Sequence, residues 1–181
     1  MKALKYLVPA LVLALSAAGC ILVSGQFVVS FDLDNVSGIT ESVVTRQDID
    51  LNTDSDYKDH KGDLKSIVDI AVLGKITNNS ATPIGVEVYM TPTSTNLATE
   101  ALVKSTAIKL WGPFKLAAGP GTSTTVDWNE SAKLFTKAGK AALLTEVMGD
   151  GQFTLYAVGD AGIYDISVEN GVLALTLDFG K

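Results

Sequence analysis

The residue types that most often carry catalysis are scarce in this chain of 181 residues. His60 is its single histidine and Cys20 its single cysteine. A serine–histidine nucleophile, a multi-histidine metal site and a cysteine-bound zinc or iron–sulfur site therefore lack the side chains they need. Catalysis by two carboxylates is the route that the 20 acidic residues leave open. We expect a protein that is not an enzyme and that holds no cofactor.

Acidic side chains are concentrated between residues 48 and 63. Oxygen ligands crowded in this way suit Ca²⁺, but the 12-residue calcium-loop pattern is only half met. Counting from Asp50, Ser55 stands where glycine is needed and Lys61 stands where the bidentate glutamate belongs. We expect an edge strand and loop whose charges discourage edge-to-edge pairing, and no tight divalent site. The candidate ligands under the alternative hypothesis of a metal site are Asp54, Asp56 and Asp59.

Two tryptophans stand at the ends of predicted strands. Trp111, followed by Gly112, Pro113 and Phe114, is a candidate aromatic contact for a ligand or partner, and so is Trp128. Tryptophans in such positions more often fill the core, because a large apolar ring is stabilised by burial. We therefore expect core packing here, with contacts through Trp111 and Phe114 as the alternative.

The first 19 residues have the composition of a secretion signal. Lys2 and Lys5 precede an uncharged apolar run over 6–18. This run is shorter than the ~20 residues that a membrane-spanning helix needs, and it ends in small residues before Cys20. The predicted organisation is a signal peptide over 1–19, a short tether over 20–25 and a single domain over 26–181.

The segment Leu15-Ser16-Ala17-Ala18-Gly19-Cys20 resembles the lipobox of bacterial lipoprotein precursors. It departs from the family at Ala17, where leucine is usual. The resemblance implies cleavage before Cys20 and its acylation with diacylglycerol and palmitate, which would anchor the domain in membrane lipid. Ile21 stands where aspartate favours inner-membrane retention, so a Gram-negative host would carry the protein on the outer membrane, facing the periplasm. The alternative is a buried free cysteine behind an ordinary signal cleavage site.

The charge balance excludes one class of partner. The chain carries a formal charge of −6, and the two lysines of the signal leave −8 on the remainder, where Arg46 is the sole arginine. Binding to nucleic acid requires a basic face, so we expect no nucleic-acid partner. No second apolar run in the sequence is long enough to span a membrane.

Most of the domain shows the period-two alternation of β-strands. The pattern predicts strands over 26–34, 42–52, 67–77, 84–90, 106–111, 122–128, 152–158, 163–169 and 172–178. We expect a turn over 36–38, and the more continuous apolar run over 67–77 indicates a central strand. Helical spacing appears near 129–148, with Asp127 or Asn129 as the cap, Gly149 as the end and Gly139 as the expected point of weakness.

The last two predicted strands flank Asn170-Gly171, a dipeptide typical of two-residue type I′ hairpin turns. That turn would place Ile166 opposite Leu175 and Tyr164 opposite Leu177, with all four side chains on one apolar face. Because the turn residues and the apolar pattern agree, we predict a C-terminal hairpin.

The elements together predict a mainly β protein, an Ig-like antiparallel β-sandwich of about eight strands with one helical segment, and α+β as the alternative. The stretch over 76–86, with Asn78-Asn79-Ser80 and Pro83 between apolar strands, resembles water-stress (late-embryogenesis type 14) β-sandwich proteins over about a dozen residues. This resemblance supports the sandwich rather than any function.

Two functions remain in view from the sequence. The first is a membrane-anchored cell-envelope lipoprotein that acts as a non-enzymatic binding or structural module, presented to another, unidentified envelope protein. The second is a lipoprotein that binds a small ligand or a divalent metal through the acidic segment over 48–63 or through a cleft between helix and sheet.

Overall fold

The computed structural model describes residues 24–92, 95–160 and 162–180. Within these ranges the chain forms nine β-strands and four α-helices, with a 3-10 turn on each side of the first helix. The strands are β1 (Ser24–Leu33), β2 (Val36–Thr40), β3 (Thr45–Asp50), β4 (Leu64–Asn78), β5 (Ile84–Thr91), β6 (Ile108–Leu116), β7 (Thr122–Val126), β8 (Gln152–Gly159) and β9 (Asp165–Gly180). The helices are α1 (Ser55–His60), α2 (Glu100–Thr106), α3 (Trp128–Lys133) and α4 (Lys137–Met148).

The strands form two antiparallel sheets whose inner faces share one apolar core. The first sheet has the order β1-β9-β4-β7, with β2 paired to the same edge of β9 as β1, and the second has the order β3-β8-β5-β6. The predicted β-sandwich is therefore confirmed. Within that class the strand order is that of a jelly roll, because most connections cross from one sheet to the other.

Alternation in the sequence corresponds to burial in the strands. In β1, Val29 is fully buried while Gln26, Val28 and Ser30 are exposed. The predicted central strand is also confirmed, since β4 lies between β9 and β7. All eight residues of β5 are buried, because its outer face is covered as well, by Leu97 and Val103 of the segment that contains α2.

The turn expected over 36–38 is wrong. Val36–Thr40 instead forms β2, a short strand that pairs with β9 through Val36↔Val168 and Ile39↔Ile166, with a register shift between the two pairs. The turn-forming residues of this segment produce an irregularity within the strand: Gly38 has φ +70°. Ile39 is fully buried, which explains why the segment pairs with the sheet.

The predicted C-terminal hairpin is also wrong. Asp165–Gly180 is one strand, β9, and it stays paired with β4 along almost its whole length. Asn170 has φ +51°, and Asn170 and Gly171 together face the single residue Gly74, which makes a β-bulge. The extra residue shifts the alternation by one position, so that Ile166 before the bulge and Leu175 after it both face the core.

The helical segment near 129–148 is present but divided. It breaks over 134–136, between α3 and α4, rather than at Gly139. Asp127 caps α3 by accepting a hydrogen bond from the backbone N–H of Glu130, and Gly149 ends α4. Gly139 has a packing role, since a Cβ there would lie 2.6 Å from the Cα of Leu110. The lack of a Cβ at Gly139 lets α4 pack closely against β6.

Candidate functional site

One side of the sandwich is closed by α3 and α4. Strand β7 pairs with β4 only from Gly74 onward, so the preceding part of that edge of β4 is left to the helices. The Ser131 hydroxyl accepts a hydrogen bond from the Val72 backbone N–H at 2.7 Å, and Trp111 Nε1 donates to the Ser131 carbonyl at 3.0 Å. Ser131 is fully buried. It therefore ties α3 to both sheets.

The opposite side opens into a cleft between the sheets. The cavity within this cleft has a volume of about 70 Å³ and is partly open to solvent. Its lining is almost wholly apolar, and its inner part is formed by buried side chains that include Trp111. The lining residues that sheet one supplies are Leu33, Asp34, Val36, Val72, Leu73, Ile76 and Val168, and those from sheet two are Thr45, Gln47, Val86, Val88, Trp111, Leu155, Tyr156 and Ala157.

Gln47 holds the two sheets together at the mouth of this cleft. Its Oε1 accepts a hydrogen bond from the Asp34 backbone N–H at 3.0 Å, and its Nε2 donates to the Asp32 carbonyl at 3.2 Å. Gln47 belongs to β3, the edge strand of sheet two, whereas the two backbone groups lie at the end of β1 and just after it. A single side chain thus closes the gap at this point.

The mouth is polar and its unpaired charge is negative. Asp34 is exposed and is the only carboxylate among the lining residues, which include no lysine or arginine. In the described part of the chain, the Asp34 carboxylate has no basic partner, and the Thr45 hydroxyl has no hydrogen-bond partner. Arg46 lies between Thr45 and Gln47 but on the other face of β3, where it pairs with Asp48 at 2.9 Å.

Sequence reasoning missed these residues although one signal was present. Positions 45, 47 and 49 share the inward face of β3, and the structure buries Ile49 there. Two of the three inward residues, Thr45 and Gln47, are polar. Polar side chains on the inward face of a strand depart from the expected pattern, and such departures often mark a site.

Trp111 and Phe114 pack in the core, as expected, and the alternative of an exposed aromatic contact surface is wrong. Trp111 is fully buried and Phe114 is 7% exposed. Their rings stack with centroids 5.9 Å apart. The core interpretation describes both residues, and Trp111 in addition contributes to the inner part of the cleft. Trp128 is half-buried and donates from Nε1 to Asp69 at 2.6 Å.

The acidic segment curls after β3, and its carboxylates hold that curl in place. Asp50 accepts hydrogen bonds from the backbone and side chain of Asn52, which lower the pKa of its carboxyl. Asp54 caps α1 by accepting from the Tyr57 backbone N–H at 2.9 Å. Asp56 and Asp59 are exposed on α1. Across the residues the structure describes, no three His, Cys, Asp or Glu side chains come together as metal ligands.

Tyr57 anchors this curl to α4. Its ring is fully buried, and its hydroxyl donates to the Val147 carbonyl of α4 at 2.7 Å. Burial, together with the smaller effect of the charges of Asp150 and Asp50, raises the pKa of Tyr57 to about 12. Lys61 reaches the same place and donates to the Asn52 side chain and to the Asp150 carbonyl. The polar groups of this segment therefore stabilise its own fold.

His60 packs between aromatic rings. Its imidazole stacks on Phe179 with centroids 4.3 Å apart and lies 5.3 Å from the ring of Phe27. These rings belong to α1, β9 and β1, so the contact attaches α1 to the first sheet.

A second group of charges lies near the start of β5. Asp160 accepts from the Gly85 backbone N–H at 2.7 Å and pairs with Lys115. Burial raises the pKa of Asp160, but the hydrogen bonds from Lys115 and Gly85 outweigh it and leave the pKa below its usual value. Nearby, buried Tyr164 donates to Glu100 of α2 at 3.1 Å, and burial raises its pKa to about 12. These contacts attach α2 and β6 to the segment that connects β8 with β9.

The predicted lipidation residue, Cys20, lies outside the described residues. So do the signal segment and the first residues of the tether; β1 begins at Ser24. Among the helices that the structure does describe, none is both long and apolar enough to cross a bilayer.

Comparisons with known proteins do not indicate a function for this chain. No family model matches the sequence, and no curated protein matches it. Structures of desmodium yellow mottle tymovirus (8% identity, 87% of each chain covered, TM-score 0.35) and mud crab tombus-like virus (9% identity, 87% of this chain and 81% of that chain, TM-score 0.38) are similar to it. A putative secreted protein from Parabacteroides distasonis ATCC 8503 is similar at 15% identity and TM-score 0.36, over 73% of this chain and 37% of that chain. At these identities and TM-scores the similarities carry no argument about this chain.

Proposed function

We propose that the protein is a lipid-anchored, non-enzymatic binding lipoprotein of the cell envelope that holds an alkyl chain between its two sheets. The observation that carries this proposal is the cleft: an apolar interior reaching Trp111, with polar groups only at the mouth. Ligand sites in proteins typically have this form, with apolar walls and a few polar groups that orient the ligand.

The empty space itself supports a ligand. Protein interiors are packed about as densely as organic crystals, and an unfilled apolar cavity lowers stability through lost contacts. The cleft lies where the two sheets of a sandwich would otherwise interdigitate. An alkyl chain would restore those contacts without requiring a hydrogen bond from the walls.

The distribution of polar groups supports binding rather than catalysis. The carboxylates Asp50, Asp54 and Asp160 hold turns, a helix cap and a strand end. At the mouth of the cleft, the lining residues include a hydroxyl, an amide and a carboxylate but no histidine, lysine or cysteine. A hydroxyl there has no side-chain base other than Asp34 to activate it.

The cleft mouth lies far from the proposed anchor. The tether joins β1 at Ser24, whereas Leu33 at the other end of β1 lines the mouth. Ten residues of strand span about 30 Å. The mouth would therefore face away from the membrane that holds Cys20, and its ligand would enter from the aqueous side.

The binding test uses the two tryptophans. The chain from Ile21 onward contains every contact described above, and Trp128→Phe leaves Trp111 as its sole tryptophan. A medium-chain ω-bromoalkanol that enters the cleft should quench Trp111 fluorescence saturably. Ala157→Leu, which adds bulk to the lining, should weaken this quenching, whereas Ala138→Leu on the exposed face of α4 should leave it unchanged. Absence of saturable quenching, or equal effects of the two substitutions, would refute an alkyl ligand.

The anchor has its own test. In the intact precursor, Cys20→Ser removes the sulfur that the lipobox would acylate. We expect the variant to appear in the soluble fraction or to remain uncleaved. Wild-type mass together with unchanged membrane fractionation would contradict the anchor and leave the cleft proposal intact.

A further inference from the structure

The mouth of the cleft has the polar groups that would meet the head of an alkyl ligand. Asp34, Thr45 and Gln47 border it, while the buried part of the lining is almost wholly apolar. We infer that the cleft selects alkyl ligands with an uncharged or cationic head group and discriminates against carboxylates, with Asp34 as the residue that determines this specificity. The inference rests on the proposed function, because it concerns the head group of the same ligand.

Charge is the first argument. Asp34 is exposed at the mouth and has no basic partner among the described residues. Asp32, two residues earlier, is also exposed, and its backbone carbonyl accepts a hydrogen bond from Gln47. Arg46, adjacent to Gln47 in sequence, is paired with Asp48 on the outer face of β3. A carboxylate head group would therefore approach a negative charge that no cation among the cleft's described lining residues offsets.

Hydrogen bonding is the second argument. The Gln47 amide uses its oxygen and one N–H on the backbone of residues 34 and 32, which leaves its second N–H for a ligand. The Thr45 hydroxyl, half-buried and without a partner in the described ranges, can donate or accept. These groups suit the oxygen of an alcohol or ester. They would also suit a carboxylate, so the discrimination must come from the charge on Asp34.

The size of the expected preference follows from the distance between the ligand's head group and the Asp34 carboxylate. Two unit charges about 4 Å apart in bulk water repel by an amount equal to a factor of about five in affinity. The apolar walls reduce the local dielectric response, so a factor of about five is the lower end of the expected range. A cationic head group should gain by attraction to the same carboxylate.

The experiment compares three ligands of equal chain length: an alkanol, an alkylammonium and an alkyl carboxylate, all bearing an ω-bromine. Each is titrated at neutral pH against the Trp128→Phe chain from Ile21 onward, with Trp111 quenching as the readout. We expect the alkanol and the alkylammonium to bind at least about fivefold more tightly than the carboxylate at low salt. This preference should shrink at 1 M salt, where the screening length falls to about 3 Å.

Asp34→Asn tests the assigned residue. It keeps the size of the side chain and removes its charge, so the preference over the carboxylate should largely disappear. Asp59→Asn removes an exposed charge from α1 and should leave the preference unchanged. If the carboxylate binds as well as the alkanol to the unsubstituted site, or if Asp34→Asn preserves the preference, the inference is wrong while the alkyl-binding cleft stands. If none of the three ligands quenches Trp111, both the proposed function and this inference are wrong.

Discussion

Replacing Ser131 with alanine should show how much the helix pair contributes to holding the sandwich closed. The Ser131 hydroxyl is buried and accepts the Val72 backbone N–H at 2.7 Å. At that point the outer edge of β4 has no strand neighbour, since β7 pairs only over Gly74–Asn78. Ser131→Ala therefore removes the acceptor of a buried amide and supplies no other.

The expected cost can be worked out from this geometry. A buried donor left without a partner destabilises a protein by about 1–3 kcal/mol. Trp111 Nε1 also lies 3.1 Å from the Ser131 hydroxyl. In the variant it can still donate to the backbone carbonyl of residue 131, at 3.0 Å in the structure, so the loss of this second contact should cost less than the loss of the Val72 acceptor. We expect a total of about 1–3 kcal/mol, and each kcal/mol should lower the Tm by about 2–4 °C for a chain of this size.

Urea denaturation of the chain from Ile21 onward measures the cost, and amide hydrogen exchange locates it. The matched control is Ser123→Ala, because the exposed Ser123 hydroxyl contacts only the Thr77 hydroxyl and a backbone carbonyl near the surface. That substitution should cost less than about 0.5 kcal/mol. Equal costs for the two alanine variants, or unchanged exchange at the Val72 amide, would refute the assignment of Ser131 as the tie between helix and sheets.

Three further predictions concern the curl and the mouth of the cleft. Asp54→Ala removes the cap of α1 and should cost about 0.5–2 kcal/mol in urea denaturation, whereas exposed Asp59→Ala should cost less than about 0.5 kcal/mol; similar costs would show that the cap contributes nothing. Burial raises the pKa of Tyr57 from 10 to about 12. The contribution of protonated Tyr57 to the free energy of unfolding is therefore constant below pH 10 and is lost as the pH rises from 10 towards 12. Denaturation across this range should show a fall in stability that is steeper than in Tyr57→Phe by up to about 1.4 kcal/mol per pH unit, while Tyr164, whose pKa is also raised to about 12, contributes to the fall in both proteins. An identical slope in the variant would contradict this prediction. Gln47→Ala should raise the association and dissociation rates of a bromoalkanol together, each by about tenfold, since two hydrogen bonds that close the mouth are lost. In stopped-flow quenching of Trp111, an unchanged association rate would show that these hydrogen bonds do not restrict entry to the cleft.

Features that depend on nearest neighbours along the chain could be predicted from the sequence. The alternation in β1 predicted which side of the strand is buried, because successive side chains of a strand point to opposite faces whatever the strand pairs with. The cap at Asp127 and the end at Gly149 were predictable for a similar reason, since a helix terminus is satisfied by residues within one turn. The mainly β class followed from many such local patterns together.

The C-terminal strand shows where local pattern is insufficient. An Asn-Gly hairpin turn and a β-bulge at the same residues both place Ile166 and Leu175 on the apolar face, so the pattern of side chains does not distinguish them. The outcome depends on the partner strand. Because β4 pairs with β9 on both sides of Asn170, the chain continues straight through, and β1 and β2 follow one another along the other edge of β9.

The cleft, by contrast, was decided by tertiary structure alone. The sequence by itself determined that residues such as Trp111 and Val88 are apolar, and that Thr45 and Gln47 are polar residues on the same face of a predicted strand as Ile49. Whether the space between two sheets is filled depends on how their edges are closed, which is a property of elements distant in sequence. Here α3 and α4 close one side through Ser131, while on the other side a glutamine from β3 meets the backbone of residues 32 and 34. A cavity arises from the fit between two surfaces, and neither surface exists until the sheets have packed.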